Sequence, residues 1–253
     1  MPTDQQQRYN YVLELADNAL ILGQRLGERC GHGPSLETDI ACTNIALDLL
    51  GQTRSYYQYA ASLKGEDATE DSIAMLRTER EYRNVLLVEQ PNTDFAYIIV
   101  RGFLFDAFHL LLLQRLVKST DETLAAIAAR AIKEVRYHRS FSAEWLKRIG
   151  SGTPESHRRT QAAVDELFRF TGEFFRPTAA ETAMVAAGVA PDTTAFRQDY
   201  YDQVTELLRE ATLTVPDVRH FRDGGKQGIH SEHFGYLLND LQFMQRTYPN
   251  MSW

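Results

Sequence analysis

Between Asp94 and Val117 the chain reads DFAYIIVRGFLFDAFHLLLLQRLV, an apolar run with no proline and long enough to cross a bilayer as a helix. Arg101, Asp106 and His109 sit near its middle. Ionisable groups at that depth are expensive in hydrocarbon, so the run is expected to be the central helix of a water-soluble core. A second segment, 35–63, is similarly apolar on most sides and takes the same reading.

The rest of the chain follows this helical rhythm. Breaks rich in Gly, Pro, Ser and Asp fall at GERCGHGP (27–34), KGEDATED (64–71), QPNTD (90–94), KSTDE (118–122) and GSGTPES (150–156), with looser ones at 176–191 and 214–230. Between them the apolar residues recur at three- and four-residue steps: Tyr9, Leu13, Ala16, Leu20, Gly23 and Gly27, and again Leu124, Ile127, Ala131, Glu134, His138, Phe141 and Trp145. Ser119 with Glu122 forms a capping-box pattern, and Thr153 before Pro154 puts proline at a first helical position. The spacing predicts eight helices at 5–27, 35–63, 71–89, 94–117, 121–149, 154–175, 192–211 and 230–247, and no strand. With no linker or low-complexity tract, residues 1–253 read as one all-α domain. Short connections between long helices favour antiparallel neighbours, hence a four-helix bundle core with additional peripheral helices.

Composition narrows the function. A formal net charge of -7 is unsuited to a broad nucleic-acid surface. Two cysteines, Cys30 and Cys42, fit a reducing compartment rather than a disulfide scaffold, and the N-terminus MPTDQQQRYNYVLEL lacks the order of a secretory signal. A cytoplasmic protein that binds no membrane is expected.

The stripes turned towards the core carry ionisable residues. On 35–63 the stripe Ala41, Asn44, Ile45, Asp48, Gly51 and Ser55 includes an acid. On 94–117 it includes Asp106 and His109, and on 121–149 Glu134 and His138. Acids and histidines from several helices of a bundle are the raw material of carboxylate-bridged di-metal sites, which use Glu from two helices and Glu-x-x-His from two others. Residues three apart share a helix face, so acid and imidazole can meet one ion pair. Here the pattern is degenerate. Asp48 is followed at the ligand position by Gly51, and Glu134 by Tyr137, with His138 one residue late and therefore turned by about 100°. Asp106 and His109 have the right spacing with a shorter acid, and on the first helix Asp17 and Glu28 lie off the apolar stripe. The expected outcome is a hydrogen-bonded or ion-paired core network. The competing reading is an autonomous di-iron or di-manganese oxygenase or oxidase using Asp106, His109, Glu134 and His138, and a lone irregular metal site is a third.

Weaker signals lie elsewhere. His230 and His233 share a helix face after GGKQG, where a glycine loop opening the last helix is the simpler reading. Lys226 among Gly224, Gly225 and Gly228 offers either an anion site or a turn. Arg77, Arg80 and Arg83 read as a solvated helix face with Glu79 and Glu81, or as a phosphate-binding ridge.

LGQRLGERCGHGP, IALDLLGQTR, EREYRNVLLVEQPN, FDAFHLLL, AIKEVRYH, REATLTVPD and GGKQGIHSEHFG occur in this order from about residue 10 onward. In these phrases the chain resembles the PaaC family, structural components of the bacterial phenylacetyl-CoA ring epoxidases, which are multicomponent oxygenases of phenylacetate degradation. The resemblance implies a ferritin-like bundle with no catalytic residue and no cofactor of its own. It implies packing against a homologous A component that holds the di-iron centre, a small B component that takes part in assembly, and a reductase with FAD and an iron–sulfur centre that draws on NADPH. It also suggests a segment, Glu81, Tyr82, Arg83 and Asn84, that could reach the CoA end of the thioester.

Overall fold

The computed structural model describes residues 4–65, 67–249 and 251. Among them the chain is all-α, with four long helices, α1 (Asp4–Gly27), α2 (Leu36–Lys64), α4 (Phe95–Leu116) and α5 (Glu122–Gly150), and five shorter ones. The shorter helices are α3 (Glu70–Leu76), α6 (Pro154–Leu167), α7 (Ala179–Ala186), α8 (Arg197–Glu210) and α9 (Glu232–Thr247). This is the helical inventory of the expected ferritin-like bundle with peripheral helices.

The chain divides into two compact units. Unit 1 comprises Met1–Pro91, Thr178–Met184 and Gly224–Trp253, and unit 2 comprises Asn92–Pro177 and Val185–Asp223. The first boundary falls inside the QPNTD break.

Unit 1 is built on the α1/α2 hairpin. The Gln5 amide donates to the Leu63 carbonyl at one end, and Gly23 lies against Ala46 and Leu49 at the other, so the two helices run antiparallel. A Cβ on Gly23 would sit 3.4 Å from the Ala46 carbonyl oxygen and from the Leu49 side chain. Ser35 caps α2 in a reciprocal box with Thr38. The buried face of α2 is Ile45, Leu49, Gln52, Thr53, Tyr56, Tyr57 and Ala60. That corrects the stripe read through Asn44, Asp48 and Gly51, which lies to the side and outward. An apolar helix without a clear polar face gives periodicity little to register on.

Unit 2 is built on the α4/α5 hairpin. Phe95 packs edge-on against Trp145 at 5.1 Å, and Gly102 and Asp106 lie beside Ser142, again antiparallel. The buried line of α5 is Leu124, Ala128, Ala131, Val135, His138, Ser142 and Leu146. Glu134 flanks it. The N-cap of α5 is Asp121, whose Oδ1 accepts from the Leu124 amide, whereas Ser119 donates to the Val189 carbonyl. The expected Ser119–Glu122 box is therefore replaced by a cap two residues later. Thr153 and Pro154 open α6 as expected.

Three helix boundaries differ from the periodic reading. The helix expected over 71–89 stops at Leu76 and gives way to an extended Arg77, a 3₁₀ turn at Glu79–Glu81 and irregular chain. The reason is Arg77, whose side chain is buried on Asp17 and whose Nε donates to the Ile73 carbonyl. Satisfying that charge outweighs three more turns of helix. The helix expected over 154–175 tightens to 3₁₀ at Phe168–Phe175, where Phe168, Phe170, Phe174 and Phe175 are all buried. The loose break over 176–191 contains α7.

Candidate functional site

The degenerate di-metal positions fall in both units, Asp48 and Gly51 in unit 1 and Asp106, His109, Glu134, Tyr137 and His138 in unit 2. In unit 2, Asp106 is buried and its Oδ2 accepts from Ser142 Oγ at 2.9 Å. Burial pushes the Asp106 carboxyl up to about 6, against the opposing pull of His138, Ser142 and Arg139. His109 is buried beside the Phe105 ring, and its Nδ1 has no hydrogen-bond partner among the described residues. Burial first, and His138 second, push His109 down to about 3, so it is neutral at physiological pH. His138 is fully buried. Glu134, by contrast, is only half-buried and lies 4.0 Å from Arg130 of the same helix, and Tyr137 is 50% exposed. Of the core network expected among Asp48, Asp106, His109, Glu134 and His138, His138 acts electrostatically on both Asp106 and His109, while Asp106 takes its hydrogen bond from Ser142. In unit 1, Asp48 is half-buried and Gly51 is exposed.

A di-metal centre needs bridging carboxylates with lone pairs aimed at a shared point. Here one acid is engaged by a serine and another is half-buried beside an arginine of its own helix. Among the described residues no three His, Cys, Asp or Glu side chains group so as to hold an ion. The donor set does not fit a di-iron or di-manganese pair.

Unit 1 holds a second buried polar system, which the sequence reading placed wrongly. Asp17, expected off the apolar stripe, is fully buried and accepts from Arg77 Nη1 and Nη2, from Tyr57 Oη at 2.5 Å and from the Arg83 amide. The Arg77 guanidinium lies 4.2 Å over the Tyr82 ring. Arg77 is therefore no part of a solvated basic ridge. Lys226 donates to both oxygens of Glu181 at 2.9 Å, which makes it an ion-pair member and not an anion receptor. His230 Nδ1 lies 2.7 Å from Glu89 Oε2, while His233 is half-buried with its Nε2 3.9 Å from Glu232, so the two histidines do not act as a pair.

Glu14 escaped the sequence reading altogether. It sits mid-helix in LELADNAL, where one acid among leucines gives no periodic signal. Its Oε1 accepts from Thr178 Oγ1, and burial followed by the nearby Glu181 push it up to about 8 despite Lys226, Thr178 and Arg83.

Of the segment expected to meet a CoA thioester, Tyr82 and Asn84 are fully buried. Tyr82 donates to the Ala74 carbonyl, and Asn84 Nδ2 donates to Glu89. Glu81 caps the Thr78 amide, and Arg83 Nη1 donates to the Arg80 and Tyr82 carbonyls while its side chain remains partly exposed.

The described residues are all-helical, as in a ferritin-like helical bundle, and carry an incomplete set of carboxylate and histidine positions. Residues 1–253 match the phenylacetic acid catabolic protein family, and the chain belongs to it. It is 48% identical over 243 residues to the C subunit of 1,2-phenylacetyl-CoA epoxidase from Escherichia coli strain K12, spanning 96% of this chain and 98% of that one.

Proposed function

We propose that this chain is a non-catalytic structural subunit of a multicomponent phenylacetyl-CoA epoxidase in aerobic phenylacetate catabolism. Its role is to support a homologous di-iron subunit. A small assembly component and an NADPH-dependent reductase with flavin and iron–sulfur centres complete the system. The observation that carries this reading is the placement of the acids: Glu134 is half-buried beside Arg130, and Asp106 is engaged by Ser142. The similarity to the C subunit of an epoxidase supplies the reaction context. A cytoplasmic location follows from the same role. Helix α4 is apolar and long enough to span a bilayer, but 94% of its most apolar window is buried in protein.

The test is reconstitution. Epoxidation should require the di-iron partner together with this chain, and Asp106→Ala or His109→Ala here should lower activity only as far as they lower folded protein. Turnover by this chain alone would refute the proposal. Within the same assay Arg83→Ala probes the thioester contact. Arg83 is the candidate cation for CoA phosphates, and loss of it should raise the apparent KM with kcat unchanged.

A further inference from the structure

Glu14, Glu181 and Lys226 are buried together in unit 1, two acids with one cation. Thr178 and Glu181 form a reciprocal box at the first turn of α7. The Glu181 amide donates to Thr178 Oγ1 at 3.0 Å, and the Thr178 amide donates to Glu181 Oε2 at 2.8 Å. Thr178 Oγ1 in turn donates to Glu14 Oε1 of α1 at 2.8 Å, while Lys226 donates to both Glu181 oxygens. The box therefore ties together α1, α7 and the strap 224–231. Glu14 Oε2 is buried with no hydrogen-bond partner among the described residues, as are Tyr11 Oη on α1 and Tyr56 Oη on α2. Tyr11 lies near enough to Glu14, Glu181 and Tyr56 to feel their charge. The other cation facing Glu14 is Arg83, whose Nη1 already donates to the Arg80 and Tyr82 carbonyls. An ionised Glu14 would thus be a second buried negative charge beside Glu181, with one ammonium between them.

The strap is seated closely but held by few kinds of bond. A Cβ on Gly225 would strike the Asn84 carbonyl, and one on Gly228 the Arg80 carbonyl. The Gln227 and Ile229 amides bond back to the Gly224 carbonyl, and the Gly228 amide to Gly225, all within the strap. Its anchors to other chain are Lys226 on Glu181 and, at the far end, His230 and the Ser231 amide on Glu89. We propose that Glu14 is a buried proton-binding site that latches this strap. With the proton in place, Thr178, Glu181 and Lys226 hold the first turn of α7 and the strap on α1; when it leaves, two carboxylates compete for Lys226 and the strap lifts from residues 80–85. A short irregular segment opens at lower cost than α1 or α2, whose backbones are closed by helix ladders. Opening also lets water reach Glu14, which then ionises in the ordinary range. Burial and Glu181 hold the latched carboxyl up to about 8, against an ordinary 4.5. The open form has therefore released a proton that the latched form keeps, and opening is favoured about tenfold for each pH unit of rise between those values. This inference does not rest on the proposed role in epoxidation.

The experiment is amide hydrogen exchange of the full-length chain read by mass spectrometry between pH ~6 and ~9, expressed as protection factors so that the intrinsic pH dependence of exchange is removed. An infrared titration of protonated-carboxyl bands accompanies it. In the wild type, protection over 178–182 and 224–231 should fall about tenfold per pH unit up to about 8 and then level off, while 11–22 and 45–60 keep theirs. Glu14→Gln retains an acceptor for Thr178 and cannot ionise. Strap protection should then stay at its low-pH level throughout, and the carboxyl band that titrates near 8 should vanish. Glu181→Gln leaves Lys226 to Glu14 and should lower the midpoint of that band by about one pH unit or more. The inference is overturned if no carboxyl of the wild type titrates near 8, a measurement that needs no variant to fold. It is equally overturned if wild-type strap protection does not change with pH, if its fall survives Glu14→Gln, or if protection is lost to the same extent along α1 and α2.

Discussion

The two units solve the problem of a polar interior in opposite ways. Unit 1 buries charge and pairs it: Asp17 with Arg77, Glu181 with Lys226, Glu89 with His230. Unit 2 buries rings. Phe108 stacks on Phe174 at 4.3 Å, and Phe105, Phe175, Phe196 and Tyr200 surround them edge-on or tilted. The surfaces differ in the reverse sense. Among the described residues Tyr137 is the one large apolar side chain strongly exposed in unit 2. Unit 1 exposes Leu36, Ile40 and Leu47 on α2 and Tyr236, Phe243 and Met244 on α9. Buried charge fixes the irregular chain over 77–90 and 224–231, where no helix ladder can satisfy the backbone. In unit 2 the rings cover the 3₁₀ stretch Phe168–Phe175, which supplies Phe174 and Phe175 to the cluster. The unit with the more paired charge inside also exposes more large apolar side chains.

The largest expected effect lies in the ionic core. Arg77→Met leaves Asp17 buried without its cation and should cost roughly 3–5 kcal/mol in urea unfolding. Asp17→Leu combined with Arg77→Met should recover much of that loss. If the double variant is no better than the single, the pair is not the unit that matters. Next comes Phe174→Ala, expected to cost about 3–5 kcal/mol by opening the aromatic cluster. A much smaller loss would mean the rings close over the gap and that unit 2 is less tightly packed than unit 1.

Glu14 sharpens the contrast through pH. Its carboxyl is raised from the ordinary 4.5 to about 8 in the fold, so between those values the native state holds a proton that the unfolded chain has released. Stability from this group is therefore fully present below about 4.5 and is lost as pH rises towards about 8. Glu14→Gln should flatten the decline in melting temperature across that window. His109 works in the opposite direction. Kept neutral down to about 3 while the unfolded imidazole titrates near 6.5, it costs stability as pH falls between these values, and His109→Gln should lessen that acid sensitivity. An unaltered pH profile in either variant removes that residue from the account. The smallest effect is expected of Glu134→Leu, about 0.5 kcal/mol or less, because the charge beside it is an exposed arginine one turn away. A large loss would put Glu134 back into the core network.

Much of this was legible in the sequence. The long helices, their antiparallel pairing and the break positions follow from 3.6-residue periodicity and Gly/Pro punctuation. So does the incomplete ligand set, since Gly51 and Tyr137 can be read directly. Facial detail was not legible. On α2, apolar residues nearly all round left the buried line ambiguous by one residue, so that Asn44, Asp48 and Gly51 were read as inward along with Ile45, which is buried. Asp17 and Glu14 were missed because their partners, Arg77, Glu181 and Lys226, lie 60 or more residues away in sequence, where no local pattern can reveal them. The helix over 77–89 failed for the same reason, as a long-range ion pair outweighed a local propensity.

The central claim of the proposed function is that the acids and imidazoles of these helices hold no metal pair. Its most direct test is iron analysis of the full-length chain produced in iron-rich medium without any partner. The account predicts iron far below one atom per chain and no change in what little is bound on His109→Ala. A stoichiometric pair of irons, lost when His109, His138 or Asp106 is replaced, would contradict it.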